Sequence, residues 1–229
     1  MTAKTKFLVL ALLLLTTGTF NSLYAQKLAY DTTYRPARYN DRIEFFKKDP
    51  IGKKDFVFLG NSITQGGNWG KILAIANAKN RGISGDITFG VLDRLEEIIA
   101  AKPAKVFILI GTNDVARNIP DSLIVRNHKK MIERIRKGSK KTQIYFYTIL
   151  PVNNSFPKKN HWDKEEHYNF INEEIKKYAD KNVTVIDLYS HFIDENKKLR
   201  ADLTKDGLHL IAAGYEVWAE VLNKGGYLK

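Results

Sequence analysis

Apolar residues in this chain gather in short, unbroken runs separated by stretches with a helical repeat. Phe56–Leu59, Val106–Ile110, Ile144–Ile149 and Val183–Leu188 are rich in Val, Ile and Phe and show no alternation. Runs of that kind predict strands buried on both faces, hence a parallel sheet with helices above and below. A weaker strand is predicted near Asn80–Ile83. Between the runs, Ile87, Val91, Leu95 and Ile98 share one helical face. So do Ile124, His128, Met131 and Ile135, then Tyr168, Ile171, Ile175 and Tyr178, then Ile211, Tyr215, Trp218 and Leu222. Strands alternating with helices predict an α/β fold, a three-layer α/β/α sandwich of about five parallel strands.

Upstream of the first strand, Tyr39, Ile43 and Phe46 recur at i, i+4 and i+7. They predict a short amphipathic helix from Pro36 to Lys48, packed on the domain as an added layer and stopped by Asp49-Pro50. The start of the chain reads differently. Lys4 and Lys6 precede an apolar run from Phe7 to Leu15, and polar sequence ends at Leu23-Tyr24-Ala25. This outline is that of a signal peptide spanning 1–25, with an uncleaved anchor as the competing reading. Residues 26–229 then form one domain, of which 26–50 is an N-terminal helical extension. Export to the periplasm or the exterior follows.

Composition narrows the chemistry. The chain has no cysteine, which excludes disulfides, thiolate metal ligands, a cysteine nucleophile and a lipid-modified cysteine anchor. The net charge of +12, falling to +10 without Lys4 and Lys6, comes largely from pairs such as Lys47-Lys48, Lys129-Lys130, Lys140-Lys141 and Lys176-Lys177. Such dispersed pairs fit solvated faces and a weak contact with anionic envelope surfaces, and they argue against a nucleic-acid partner.

Four segments fall at or just beyond the predicted carboxyl ends of strands, the edge where open parallel sheets place their ligands. They are Gly60-Asn61-Ser62, the stretch Asn80–Asp86 containing Ser84-Gly85-Asp86, Gly111-Thr112-Asn113-Asp114, and Asp206-Gly207-Leu208-His209. Each alone reads as a turn or a capped helix start. Jointly they supply a hydroxyl, an imidazole, a carboxylate to orient it and several hydrogen-bond donors, which is what acyl transfer requires. In that reading His209 takes the Ser62 proton and Asp206 holds the imidazole.

These blocks, in this order, resemble the SGNH hydrolases, also called the GDSL esterase family, over nearly all of the chain from about Asp55. The resemblance places the family's serine on Ser62, its glycine on Gly85, its asparagine on Asn113 and its closing pair on Asp206 and His209. It implies an oxyanion hole formed by the backbone N–H groups of Ser62 and Gly85 and the Asn113 amide, with a flavodoxin-like fold and no cofactor or metal. One departure stands in the first block, where Asn61 replaces the usual aspartate. The segment also lacks the second glycine of G-x-S-x-G, which argues against the α/β-hydrolase nucleophile elbow.

Other residues allow competing chemistry. His161 and His167 flank Asp163 and Glu166, but the spacing matches neither H-E-x-x-H nor H-x-x-E-H, and a surface helix start is the preferred reading over a metal site. His128 and His191 read as structural. Gly66–Lys71 lacks both the first glycine and the hydroxyl residue of a phosphate loop. Trp69 fits a core position or a pocket edge, and the loop 151–162 fits a pocket wall or a solvated loop.

The expected activity is that of an exported serine esterase acting on a small-molecule or carbohydrate ester, with O-acetyl groups favoured because no long apolar insertion could cover a fatty chain. The alternatives are a lysophospholipase or acyl-thioesterase type of lipid acylhydrolase, an acyltransferase to an envelope polysaccharide, and a basic domain that only binds polymer or membrane.

Overall fold

The computed structural model describes residues 30–229. The proposed signal segment lies outside those residues. Five strands, β1 (Phe56–Gly60), β2 (Ala78–Gly82), β3 (Lys105–Leu109), β4 (Gln143–Tyr147) and β5 (Val183–Ile186), form one sheet in the order β2-β1-β3-β4-β5. Every neighbouring pair is parallel. The strands match the apolar runs to within a few residues, and the α/β three-layer expectation holds.

Register explains much of the core. Phe58 of β1 pairs with Phe107 of β3, which pairs with Tyr145 of β4, so three rings line up across one sheet face. Their centroids stack at 4.9 and 4.6 Å, and Trp69 stacks on Phe58 at 4.3 Å. Offset stacks of this kind add to the burial of large apolar area. Trp69 is therefore a core residue. Its indole N–H donates to the Thr64 carbonyl at 3.0 Å, directly behind Ser62.

Helices cover both faces. On one side lie α4 (Thr88–Asp93), α5 (Leu95–Ala101), α7 (Asp121–Gly138) and α8 (Glu165–Lys176), which pack on one another. On the other side lie α3 (Trp69–Leu73), α9 (Tyr189–Phe192) and α10 (Ala212–Lys224). The helix α1 (Tyr39–Lys48) is the N-terminal layer, with Tyr39 and Phe46 packed on Ile83. It starts three residues later than the pattern predicts. Two one-turn helices at the carboxyl ends of strands, α2 (Ser62–Gln65) and α6 (Thr112–Ala116), complete the set.

Three departures from the sequence pattern have physical causes. The face of Ile87, Val91, Leu95 and Ile98 is buried as expected, but it spans two helices broken at Arg94. The Gly90 carbonyl, which a continuous helix would offer to the Arg94 N–H, accepts the Tyr39 hydroxyl at 2.7 Å. The Arg94 side chain turns inward to the buried Asp86 carboxylate at 3.0 Å. Ile211 sits one residue ahead of α10 and is 39% exposed, so it lies outside the apolar face. Third, lysines that look dispersed along the chain meet: Lys53, Lys102, Lys137, Lys140 and Lys141 line a cavity of about 580 Å³. They precede β1, β3 and β4 and so sit at the sheet edge opposite Ser62.

His128, expected to be structural, is fully buried on α7 and donates from Nε2 to the Ile110 carbonyl at 3.1 Å. Burial pushes its pKa from 6.5 down to about 3. The unfolded chain can protonate this imidazole below pH 6.5 while the fold cannot, so its contribution to stability is lost as pH falls toward 3. Asp114, raised by burial to about 7, acts in the opposite direction over the upper part of that range. His128→Gln should therefore gain on the parent by about 2 kcal/mol between pH 7 and pH 5 in urea unfolding. Parallel pH profiles for the two proteins would remove this assignment.

Candidate active site

The carboxyl ends of β1 and β3 deliver the first parts of the site. Asn61 is buried and its Oδ1 accepts from the Ile63 N–H at 3.0 Å, capping α2. Asparagine thus performs the capping that a carboxylate could, without a buried charge. The turn that carries Ser62 is held from behind. The Asn80 amide donates to the carbonyls of Thr64, Gln65 and Gly67, and the Tyr215 hydroxyl donates to Ile63 at 2.7 Å. Gly82 lies so close to the Gln65 backbone that a Cβ there would overlap it.

The Asp206–His209 turn folds back on itself. Asp206 Oδ1 accepts from the Leu208 N–H at 3.2 Å and the His209 N–H at 2.8 Å, while Oδ2 accepts from His209 Nδ1 at 2.8 Å. A carboxylate three residues before the histidine can therefore fix both the backbone turn and the ring. Burial works to raise the Asp206 pKa, but the bonds from the His209 ring and backbone outweigh it and hold the carboxyl well below the usual range. Because a carboxylate only accepts, Nδ1 carries the proton and Nε2 is left bare. That Nε2 lies 3.0 Å from Ser62 Oγ. Residues 147 positions apart are thus joined in one hydrogen-bonded chain, Ser62–His209–Asp206. It is open to solvent, with the side chains of His209 and Asp206 exposed by 32% and 27%.

Gly85 and Asn113 approach from the sheet's other loops. Gly85 has φ +81°, a region L side chains enter at a cost, and a Cβ there would crowd Pro36. Ser62 is the first residue of α2, where N–H groups lie outside the helical ladder. Among the described residues, neither its N–H nor that of Gly85 donates to a protein acceptor. Asn113 Nδ2 donates to the Asp86 carbonyl at 2.9 Å, which ties the second and third blocks together. Asp114 reinforces the link by accepting from the Thr88 N–H at 3.0 Å and its hydroxyl at 2.6 Å.

With the order Ser, Gly, Asn, Asp, His now seen on one sheet edge, sequence comparison decides the family. The model of the GDSL-like lipase/acylhydrolase family matches residues 58–217. The chain belongs to this family. A GDSL esterase/lipase of Oryza sativa subsp. japonica, WDL1, is 25% identical over 198 residues, covering 74% of this chain and 76% of the relative. A GDSL-like lipase from Bacteroides thetaiotaomicron superposes with a TM-score of 0.69 at 27% identity, covering 82% of this chain and 97% of the other. A lipase/acylhydrolase from Enterococcus faecalis does so with a TM-score of 0.62 at 26% identity, over 77% and 97%. Family and neighbours make this chain a hydrolase.

Two walls of the site in this GDSL-family hydrolase lie outside the four blocks. Tyr34 and Pro36 of the N-terminal extension border Gly85, and the Arg117 guanidinium stacks on Tyr34. The loop 151–162 reaches in from the other side. His161 Nε2 lies 3.1 Å from Asn113 Oδ1, and Lys159 Nζ lies 3.5 Å from Asp206 Oδ2. His161 is thus part of the site and not a surface helix start. His167 instead pairs with Asp121 at 2.9 Å. The two histidines do not converge, and among the described residues no group of three or more His, Asp or Glu side chains is placed to hold a metal. His191 is exposed at the end of α9. Among the described residues no helix is long and apolar enough to cross a membrane.

Proposed function

We propose that this hydrolase is an exported serine esterase that removes short acyl groups, O-acetyl above all, from carbohydrate. Ser62 Oγ attacks the ester carbonyl while its proton passes to His209 Nε2. The resulting tetrahedral oxyanion is received by the N–H groups of Ser62 and Gly85 and the free N–H of the Asn113 amide. Collapse breaks the bond to the leaving alcohol, which takes the proton from His209 and leaves an acyl-serine. Water then repeats the sequence, giving up a proton to His209, and releases the acid and Ser62. Asp206 keeps the imidazole in the useful tautomer and offsets its transient charge.

The observation that carries this reading is the unbroken Ser62–His209–Asp206 chain at an open surface. A half-buried nucleophile served by a solvent-accessible histidine and carboxylate suits a small acyl group on a bulky alcohol better than a long acyl chain, which needs a covered apolar channel. One apolar cavity, lined by Ile43, Phe46, Pro50 and Ile51, lies away from Ser62 and offers no such channel to it. Export rests on the outline of residues 1–25.

A chain-length series of p-nitrophenyl esters, run beside acetylated sugars, tests the substrate class. Acetate should show the highest kcat/KM, and acetylated sugars should release acetate. An optimum at octanoate or longer, with no sugar deacetylation, favours the lipid acylhydrolase reading. Transfer of the acyl group to added polysaccharide instead of water points to an acyltransferase.

A further inference from the structure

Asn113 has one side-chain amide and two protein partners, and together they fix which way round it sits. The Asp86 carbonyl can only accept, so the group 2.9 Å from it must be the amide nitrogen. The oxygen then faces His161 Nε2 at 3.1 Å. An amide oxygen also only accepts, so His161 Nε2 must carry a proton. The other ring nitrogen, Nδ1, is buried and without a partner among the described residues, as suits a bare lone pair more than an N–H. The ring is neutral as well. Burial, with the neighbouring His209 and Lys159, pushes its pKa down to about 4.

We propose that His161 is a positioning residue for ester hydrolysis: its Nε2–H holds the Asn113 amide so that the amide's second N–H points at the developing oxyanion. The inference rests on the oxyanion role proposed above for Asn113. A free asparagine side chain can rotate about its last bond and present either oxygen or nitrogen, and an oxygen aimed at an oxyanion repels it. The Asp86 carbonyl alone selects one orientation weakly, since one hydrogen bond is worth little net of solvent. A second contact of opposite polarity makes the other orientation doubly mismatched. Such preorganisation is what gives an oxyanion donor its worth. His161 comes from the loop 151–162, which the Asn153 N–H anchors to the Gly207 carbonyl at 2.8 Å. One segment thereby ties the oxyanion side of the site to the Asp206–His209 turn.

The test is a double-mutant cycle with p-nitrophenyl acetate as substrate. His161→Leu should lower kcat about tenfold with KM little changed, the scale of one hydrogen bond acting in the transition state. His161→Gln, whose amide can place an N–H near the same point, should recover most of the loss. In an Asn113→Ala background, His161→Leu should cost no more than about twofold, because its target is gone. A multiplicative loss in the double variant, or a Gln variant as slow as Leu, overturns the proposal. A second readout needs neither turnover nor substitution. Long-range ¹H–¹⁵N spectra of the unmodified protein at pH 7 should show the His161 ring as the neutral Nε2–H tautomer. A charged ring or the Nδ1–H tautomer overturns the proposal even if the enzyme acts on no ester tried, whereas loss of turnover alone would indict only the assigned activity.

Discussion

Ser62→Ala is expected to lose nearly all ester turnover, retaining about 10³-fold catalysis over water from binding and the remaining donors, as other triad enzymes do. The loss should fall on kcat. Among the described residues the Ser62 hydroxyl bonds His209 Nε2 alone, at 3.0 Å, while the turn is held by Asn61, Asn80, Trp69 and Tyr215. The variant should therefore unfold at about the parent's temperature. His209→Ala should be nearly as damaging, and Ser62→Ala/His209→Ala scarcely worse than either, because members of such a chain act as a unit. Near-normal kcat in purified Ser62→Ala would reject the nucleophile, whatever the other variants did.

Asn113→Ala is expected to lower kcat by about 10²–10³ with KM little altered, the usual worth of one oxyanion donor. The reason for the split is that the substrate carbonyl carries little charge when it binds, and the amide's contribution grows only as the oxygen becomes anionic. Asn113→Asp should be at least as slow, since it keeps the shape but sets a carboxylate beside the developing charge. The substitution also removes the bond to the Asp86 carbonyl, so thermal unfolding has to be followed alongside kinetics. Asp114 and Thr88 still join the two loops, which keeps the backbone in place. A loss appearing wholly in KM would mean that Asn113 only helps to bind substrate.

Local pattern was enough for the sheet's centre. Residues such as Val57, Phe58, Ile108 and Phe146 are buried on both faces and read as unbroken apolar runs. The edge strand β2 was faint because Asn80 and Arg81 spend their side chains on structure: one holds the nucleophile turn, the other pairs with Glu97 and Asp49. The break at Arg94 was invisible because Tyr39, 51 residues from Gly90, causes it. The four blocks could be read because turn chemistry leaves marks at fixed spacing, as in Asp206 bonding three residues on to His209. His161 left no such mark. Its partner Asn113 is 48 residues away, and near Asp163 and Glu166 it looked like a helix start. The available clue was that its loop leaves β4 at the same sheet edge as Ser62. Tyr34 and Pro36 were missed likewise, their contact with Gly85 being a matter of packing alone.

The most direct measurement is intact-protein and peptide mass spectrometry after treatment with a fluorophosphonate. Stoichiometric addition at Ser62, abolished in His209→Ala and slowed in Asn113→Ala, is the predicted result. An active enzyme that carries the adduct on any other residue, or that takes up none while its esterase activity persists, would contradict the account.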